Sequence, residues 1–409
     1  WSVKYRTAAN HWIVGFQRPV QGVKFYIATP KAQTSTLTAQ EWNGSSWTDL
    51  TITDGTASGG ISLAQTGSVT FNSTVGSSKP RYIHGSSLYF YQFSIDAGQA
   101  AIYYCTGDAP MQSITNIWDG RQSYVTKAQK YQTNYKDYTD EVNDDSTGTY
   151  MDVSSLPNTG YILLGFTAPM QAIEITMKPD SENSTASNAM AVYYWGGDDW
   201  IQATALANGT ATSTTSLNKT GVVAWNSPGP GVEYPTSISD EATLYYYKVS
   251  FANTLDSDTK IGEIRGIDAP LPIGTYRLSE MHQGRLFLFN EYSGHKNKLI
   301  YSMDNAPDVF NGYDTGVLYV GDETDITAAV TVYNVFGNTA YDQLIIGKEG
   351  EIWRLAGDGP SNWAVKRISA NVGCVAPLSM GSVEIMDQDE TTRKQVAIFQ
   401  GDTGFYMTD

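Results

Sequence analysis

The first 270 residues contain one pattern twice. Residues 15–21 read Gly-Phe-Gln-Arg-Pro-Val-Gln, and residues 165–171 read Gly-Phe-Thr-Ala-Pro-Met-Gln, an offset of 150. Trp42 and Trp47 match Trp195 and Trp200 at an offset of 153, and residues 66–72 match 220–226 at 154. Residues 88–91 match 244–247 at 156, and 108–110 match 268–270 at 160. The offset only grows, as it does when loops take small insertions and the strands between them take none. Such a chain must build tandem modules of one kind, each of roughly 100 residues.

The modules read as short strands. Residues 23–27 and 173–177 alternate apolar and polar side chains, the mark of a half-buried strand. Asn43-Gly44 and Gly196-Gly197 directly follow Trp42 and Trp195 and supply the positive φ of a tight hairpin. Asp54-Gly55 and Asn208-Gly209 mark later turns. The fold class expected is all-β: two tandem Ig-like β-sandwich modules followed by β-propeller-like blades. The boundaries expected are module 1 at 1–110, a connector at 111–150, module 2 at 151–270 and an incomplete propeller-like region at 271–409. The stretch 127–145, polar and Tyr-rich, reads as an extended connector or hairpin arm.

In the last region an apolar strand, a Gly-bearing turn and an aromatic strand recur at 344–353 and 397–406, a spacing of 53. A hairpin at that period resembles a propeller blade, and only two to three blades fit before residue 409. The chain starts at Trp1 and stops inside a strand-like pattern, as expected of a portion of something longer.

Composition narrows the function. Charged residues make up 17% of the chain and the net charge is −16, so a broad basic surface for free nucleic acid is not expected. An acidic pore that lets DNA slide remains compatible with that sign. Cys105 and Cys374 lie far apart in apolar stretches and are expected as buried free thiols, which fits assembly in a reducing cytoplasm. No stretch is apolar for the length of a membrane span. His11, His84, His282 and His295 lack metal-ligand spacing, and no nucleophile elbow or phosphate loop is present. The acidic groups Asp144-Asp145, Asp198-Asp199 and 322–325 read as solvated loops. No catalytic residue, metal or cofactor is expected. The paired Trp42, Trp47, Trp195 and Trp200 read first as hairpin-clamping or core pairs and second as platforms for stacking a glycan.

Residues 281–286 (Met-His-Gln-Gly-Arg-Leu), 299–310 (Leu-Ile-Tyr-Ser-Met-Asp-Asn-Ala-Pro-Asp-Val-Phe), 321–327 and the Lys-Glu-Gly-Glu-Ile-Trp run at 348–353 resemble the propeller segment of tail tube or nozzle proteins of short-tailed bacteriophages. The tandem modules resemble, less specifically, Ig-like modules of phage structural proteins. The resemblance implies a virion tail component assembled in the bacterial host cytoplasm. Its partners would be copies of itself in a ring and other tail or neck proteins, with DNA passing through a lumen. The short propeller and the doubled sandwich depart from that family's pattern. The alternative is a glycan-binding adhesin or receptor-binding tail protein that meets a host surface glycan.

Overall fold

The computed structural model describes residues 2–4, 11–110, 115–238, 242–312, 314–336, 339–386 and 393–408. The chain is all-β: two tandem sandwiches followed by propeller-like blades, with one short helix among the described residues. It divides into two compact units, one holding both sandwiches and the other the blades together with residues 115–119.

The first sandwich is built from β1 (Ser2–Lys4), β2 (Trp12–Phe16), β3 (Gly22–Thr29), β4 (Leu37–Trp42), β5 (Trp47–Asp49), β6 (Thr53–Asp54), β7 (Gly67–Thr70), β8 (Pro80–Ile83), β9 (Ser86–Ile95) and β10 (Gln99–Asp108). One sheet runs β1-β10-β3-β7-β6 and the other β2-β9-β4-β5, with β8 beside β9. Every pairing is antiparallel, so alternate side chains of each strand turn inward. Phe25 of one sheet meets Phe93 of the other edge-on at 5.1 Å, and both are fully buried. Burying each such ring contributes about 1.5–3 kcal/mol. Cys374 is buried as expected, but Cys105 on β10 is only half-buried. The described part of β1 flanks β10 only at 99–101, which leaves the later stretch of β10 less covered.

Next come β11 (Thr115–Asn116), β12 (Ser123–Tyr124), β13 (Lys127–Tyr131), β14 (Tyr135–Asp137), α1 (Thr139–Asn143), β15 (Met151–Asp152), β16 (Tyr161–Phe166), β17 (Met170–Met177), β18 (Met190–Trp195), β19 (Trp200–Gln202), β20 (Ala207–Asn208), β21 (Gly221–Ala224), β22 (Tyr245–Phe251) and β23 (Lys260–Asp268). The path β15-β23-β17-β21-β20 repeats the first sheet of module 1, and β16-β22-β18-β19 repeats the second. Residues from both sheets, including Phe166, Ile173, Val223, Tyr247 and Ile264, form one core.

The expected connector is not one. β12 pairs with β23, and the β13–β14 hairpin extends the second sheet by pairing with β16. Residues 115–119 join the blade unit instead, where β11 pairs with β24 (Leu271–Pro272). The hairpin arm that 127–145 could also be read as is present as β13–β14, built into the outer side of the second sheet: β14 forms the edge and β13 lies between β14 and β16, with tyrosines only partly covered. Tyr131 stacks on Tyr161 at 4.8 Å there.

The repeated Gly-Phe has a packing reason. Gly15 lies opposite Phe90, and Gly165 opposite Tyr246, so close that a Cβ would sit 2.6 and 2.7 Å from the ring. The following Phe16 and Phe166 lie as closely over Gly107 and Gly266. The repeated aromatic at 91 and 247 ties down the loop before the third and seventeenth strands. Tyr91 Oη accepts from Val20 N at 3.0 Å and bonds Thr74 Oγ1 at 2.6 Å. Tyr247 Oη accepts from Met170 N at 2.6 Å but donates to the carboxylate of buried Glu233.

The blade unit holds β25 (Tyr276–His282), β26 (Arg285–Glu291), β27 (Lys298–Tyr301) and β28 (Gly316–Tyr319) as one sheet. A second sheet holds β29 (Ile326–Phe336), β30 (Thr339–Lys348), β31 (Ile352–Ala356) and β32 (Ala364–Ser369). A third holds β33 (Gly381–Met386), β34 (Arg393–Gly401) and β35 (Gly404–Thr408). Phe287, Phe289 and Leu299 of the first pack with Leu344, Ile346 and Leu355 of the second. Ile345 and Ile352 pack with Ala397 and Phe399 of the third. Lys348 is fully buried, and its ammonium donates to Val320 O at 3.0 Å, Asp322 O at 2.6 Å and Asp322 Oδ1 at 2.6 Å. Asp322, expected in a merely solvated loop, is therefore an anchor: Lys348 and Thr324 hold its carboxyl well below the usual range.

Two outcomes follow for stability. Gly165→Ala forces a methyl into the buried Tyr246 ring and should lower stability by about 1–3 kcal/mol in urea denaturation; an unchanged midpoint would contradict the close packing. Burial pushes the Glu233 carboxyl from 4.5 up to about 7, against the hydrogen bond from Tyr247. The unfolded chain releases that proton at lower pH than the folded one. The stability from this site is thus fully present below about pH 4.5 and is lost as pH rises through about 7. Glu233→Gln should match the parent near pH 4 and exceed it at pH 8 by on the order of 3 kcal/mol; parity at pH 8 would remove the site from the account.

Candidate functional site

The four tryptophans come together as two pairs. Trp42 at the end of β4 is in register with Trp47 at the start of β5, their rings edge-to-face at 5.6 Å. Trp195 and Trp200 repeat this at 5.5 Å. Gly44 and Gly197 take φ of 101° and 105° in the intervening turns, a conformation that costs glycine nothing. In the first turn, Asn43 Oδ1 also accepts from Ser45 N and Ser46 N at 2.9 and 2.8 Å. Trp42 is buried, and the Arg81 guanidinium lies 3.9 Å from its ring centre. The Lys248 ammonium lies 5.1 Å from the Trp200 ring, which packs against Leu163, Leu244 and Tyr246. Each pair clamps its hairpin, and a cation of the same module sits over one indole of each.

A second site was not singled out in the sequence. On the outward face of the second sandwich, register sets Tyr124 beside Arg265, Arg265 beside Glu174, and Glu263 beside Thr176. With Tyr82, Gln122 and residues 143–145, these side chains line a cavity of about 400 Å³. Alternation places them: Ile173, Ile175 and Ile264 turn into the core, so Glu174, Glu263 and Arg265 turn out.

Arg265 is the fixed point of this cavity. Its guanidinium donates to Val142 O, Asn143 O and Asn143 Oδ1, each at 3.2 Å, and pairs with Glu263. Tyr124 covers it at 4.2 Å. The first two acceptors are carbonyls at the end of α1, groups a helix cannot satisfy internally. Glu174 accepts from Gln122 Nε2. Burial pushes its carboxyl up to about 6; Glu263 adds to the rise, and Gln122 and Arg265 oppose it. The cavity thus presents a carboxyl group that titrates near neutrality, amide groups and two tyrosine edges. Among the described residues no group of His, Cys, Asp and Glu forms a metal-holding cluster. The alternation of 173–177 shows that Glu174 faces outward, but nothing in the sequence pairs it with Arg265.

No protein-family model and no curated protein matches this chain. Among solved structures, a Bacteroides ovatus ATCC 8483 protein assigned as an alpha-L-fucosidase aligns over 66% of this chain at 10% identity and a TM-score of 0.18. This chain spans 38% of that protein's length. The CBM32-1 and CBM32-2 domains of Clostridium perfringens ZmpB align over 66% of this chain and 86% of theirs, at 10% identity and a TM-score of 0.17. Similarity that low carries no argument about function.

Carboxyl ¹³C titration should place Glu174 at about 6, and Arg265→Met should move it higher by removing the opposing cation. A midpoint at the ordinary glutamate value, or one that falls in the variant, would contradict the geometry.

Proposed function

We propose that this chain is a structural component of a phage virion tail, of nozzle or neck type, that works by subunit packing around a DNA channel rather than by catalysis. The observation that supports this most directly is the exposed apolar side chains of the blade sheets. Phe405 and Met407 on one face of the third sheet are 77% and 67% exposed, and Met281, Tyr319 and Val317 on one face of the first are 53%, 54% and 47% exposed. Clustered exposed apolar side chains of this size mark protein contact surfaces. The resemblance of residues 281–353 to nozzle propellers supplies the setting, and the net charge of −16 suits a surface over which DNA slides without sticking.

A second reading, a glycan-binding or receptor-binding tail module, draws on the cavity around Tyr82, Tyr124 and Glu174. Carboxyl, amide and tyrosine groups together can both hydrogen-bond a sugar's hydroxyls and cover its apolar face.

Electron microscopy of the purified chain tests the proposal. A closed ring of identical copies around a channel is the expected result. A monodisperse monomer would overturn it and favour the second reading, for which a glycan array comparing the parent with Tyr124→Ala would be decisive.

A further inference from the structure

The cavity of the second sandwich is unequal in what it can give and take. Its walls carry four carboxyl groups, on Asp144, Asp145, Glu174 and Glu263, against the one guanidinium of Arg265. That guanidinium is already committed. Its Nη1 donates to Val142 O, Asn143 Oδ1 and Ile264 O, and its Nη2 donates to Asn143 O and pairs with Glu263. The amides are committed too. Asn143 Nδ2 donates to Val125 O at 2.8 Å and Thr139 O at 2.9 Å, and Gln122 Nε2 donates to Glu174. Nitrogen donors are thus turned to the protein, while carboxylate oxygens are left over. Asp144 accepts from Ser146, which holds its carboxyl below the usual range and keeps it charged. The Asp145 side chain is exposed and has no hydrogen-bonding or ionic partner among the described residues. A ligand that fills this cavity must bring donors and a positive charge with it.

The aromatic groups narrow the choice. Arg265 covers one face of the Tyr124 ring at 4.2 Å, yet Tyr124 is 66% exposed and Tyr82 37%. Tyrosines so placed offer a flat apolar surface and a hydroxyl, which suit the C–H face and hydroxyls of a sugar ring better than a bare alkyl chain. A volume of about 400 Å³ lies near the small end of ligand sites, roughly 300–1,000 Å³, and has room for a short saccharide but not for a folded partner.

We propose that this cavity binds an amino sugar whose amine is free and protonated, with the ammonium among Glu174, Asp144 and Asp145 and the ring against Tyr124. This deepens the second reading above and is independent of whether the chain assembles into a ring. The groups facing the ammonium are the four carboxyls, Arg265 and the two tyrosine hydroxyls. Glu174 sets the pH response: in the empty cavity burial pushes its carboxyl up to about 6. An arriving cation favours the ionised form, so binding tightens as pH rises through about 6.

Isothermal titration of the whole 409-residue chain with glucosamine, glucose and N-acetylglucosamine tests this, because the three share a ring and differ in charge. Glucosamine should bind at least about tenfold tighter than either neutral sugar near pH 7, and about tenfold more weakly near pH 5 than near pH 7. Glu174→Gln should weaken it about tenfold near pH 7 and remove the pH response. Asp145→Asn, at an exposed position that leaves the fold intact, should weaken it roughly threefold. Equal affinity for all three sugars would overturn the proposal and leave a glycan site without selectivity for the amine. Glucosamine binding that neither variant alters would lie elsewhere and would also overturn it. Cadaverine, a diamine with no ring, binding as tightly as glucosamine would overturn the choice of a sugar. Failure of all three sugars to bind would remove both the proposal and the second reading's use of this cavity.

Discussion

A β-strand points its side chains alternately to two faces, and in water an apolar face must be covered by something. Each sandwich here covers its inner faces with its own second sheet: Phe25 against Phe93 in the first, Ile173 and Ile264 against Phe166 and Tyr247 in the second. The blades follow another rule. Each sheet is apolar on both faces, as Leu344, Ile345 and Ile346 in one strand show, and each depends on a neighbour for cover. A sandwich is thus complete alone, whereas a blade depends on what packs against either face. The interaction properties we assign to the chain follow from that difference.

Polar groups fix the geometry that the apolar faces leave loose. The tyrosine tie is the same in both modules, yet its far partner is a neutral Thr74 in one and an ionisable Glu233 in the other. The second sandwich therefore carries a pH sensitivity that this tie does not give the first. In the blade unit, the buried Lys348 ammonium holds the backbone at Val320 and Asp322 at the junction of the first two sheets. A buried charge is tolerated there because carbonyls and a carboxylate replace its water.

The parts of the fold legible in the sequence are those written locally. The growing offset located both sandwiches, the Gly-bearing dipeptides placed the hairpins that join Trp42 to Trp47 and Trp195 to Trp200, and the 53-residue spacing located hairpins of the second and third blades. Two kinds of feature escaped. Residues 127–137 could be read as a connector or a hairpin arm, because two short strands with half-covered tyrosines at the outer side of a sheet carry no strong apolar period. The cavity escaped because Gln122, Glu174 and Arg265 become neighbours only through strand register, which no local pattern encodes. Glu174 is one polar position in an alternating strand, and such positions are ordinarily solvent-facing and inert.

Hydrogen exchange of the intact chain, compared at low and high concentration, tests most directly whether the uncovered blade faces are where this protein meets its neighbours. The account predicts that protection gained on concentration is confined to β25–β28 and β33–β35, with the sandwich strands unchanged. Gain in the sandwich strands, with the end blades exchanging as before, would contradict it.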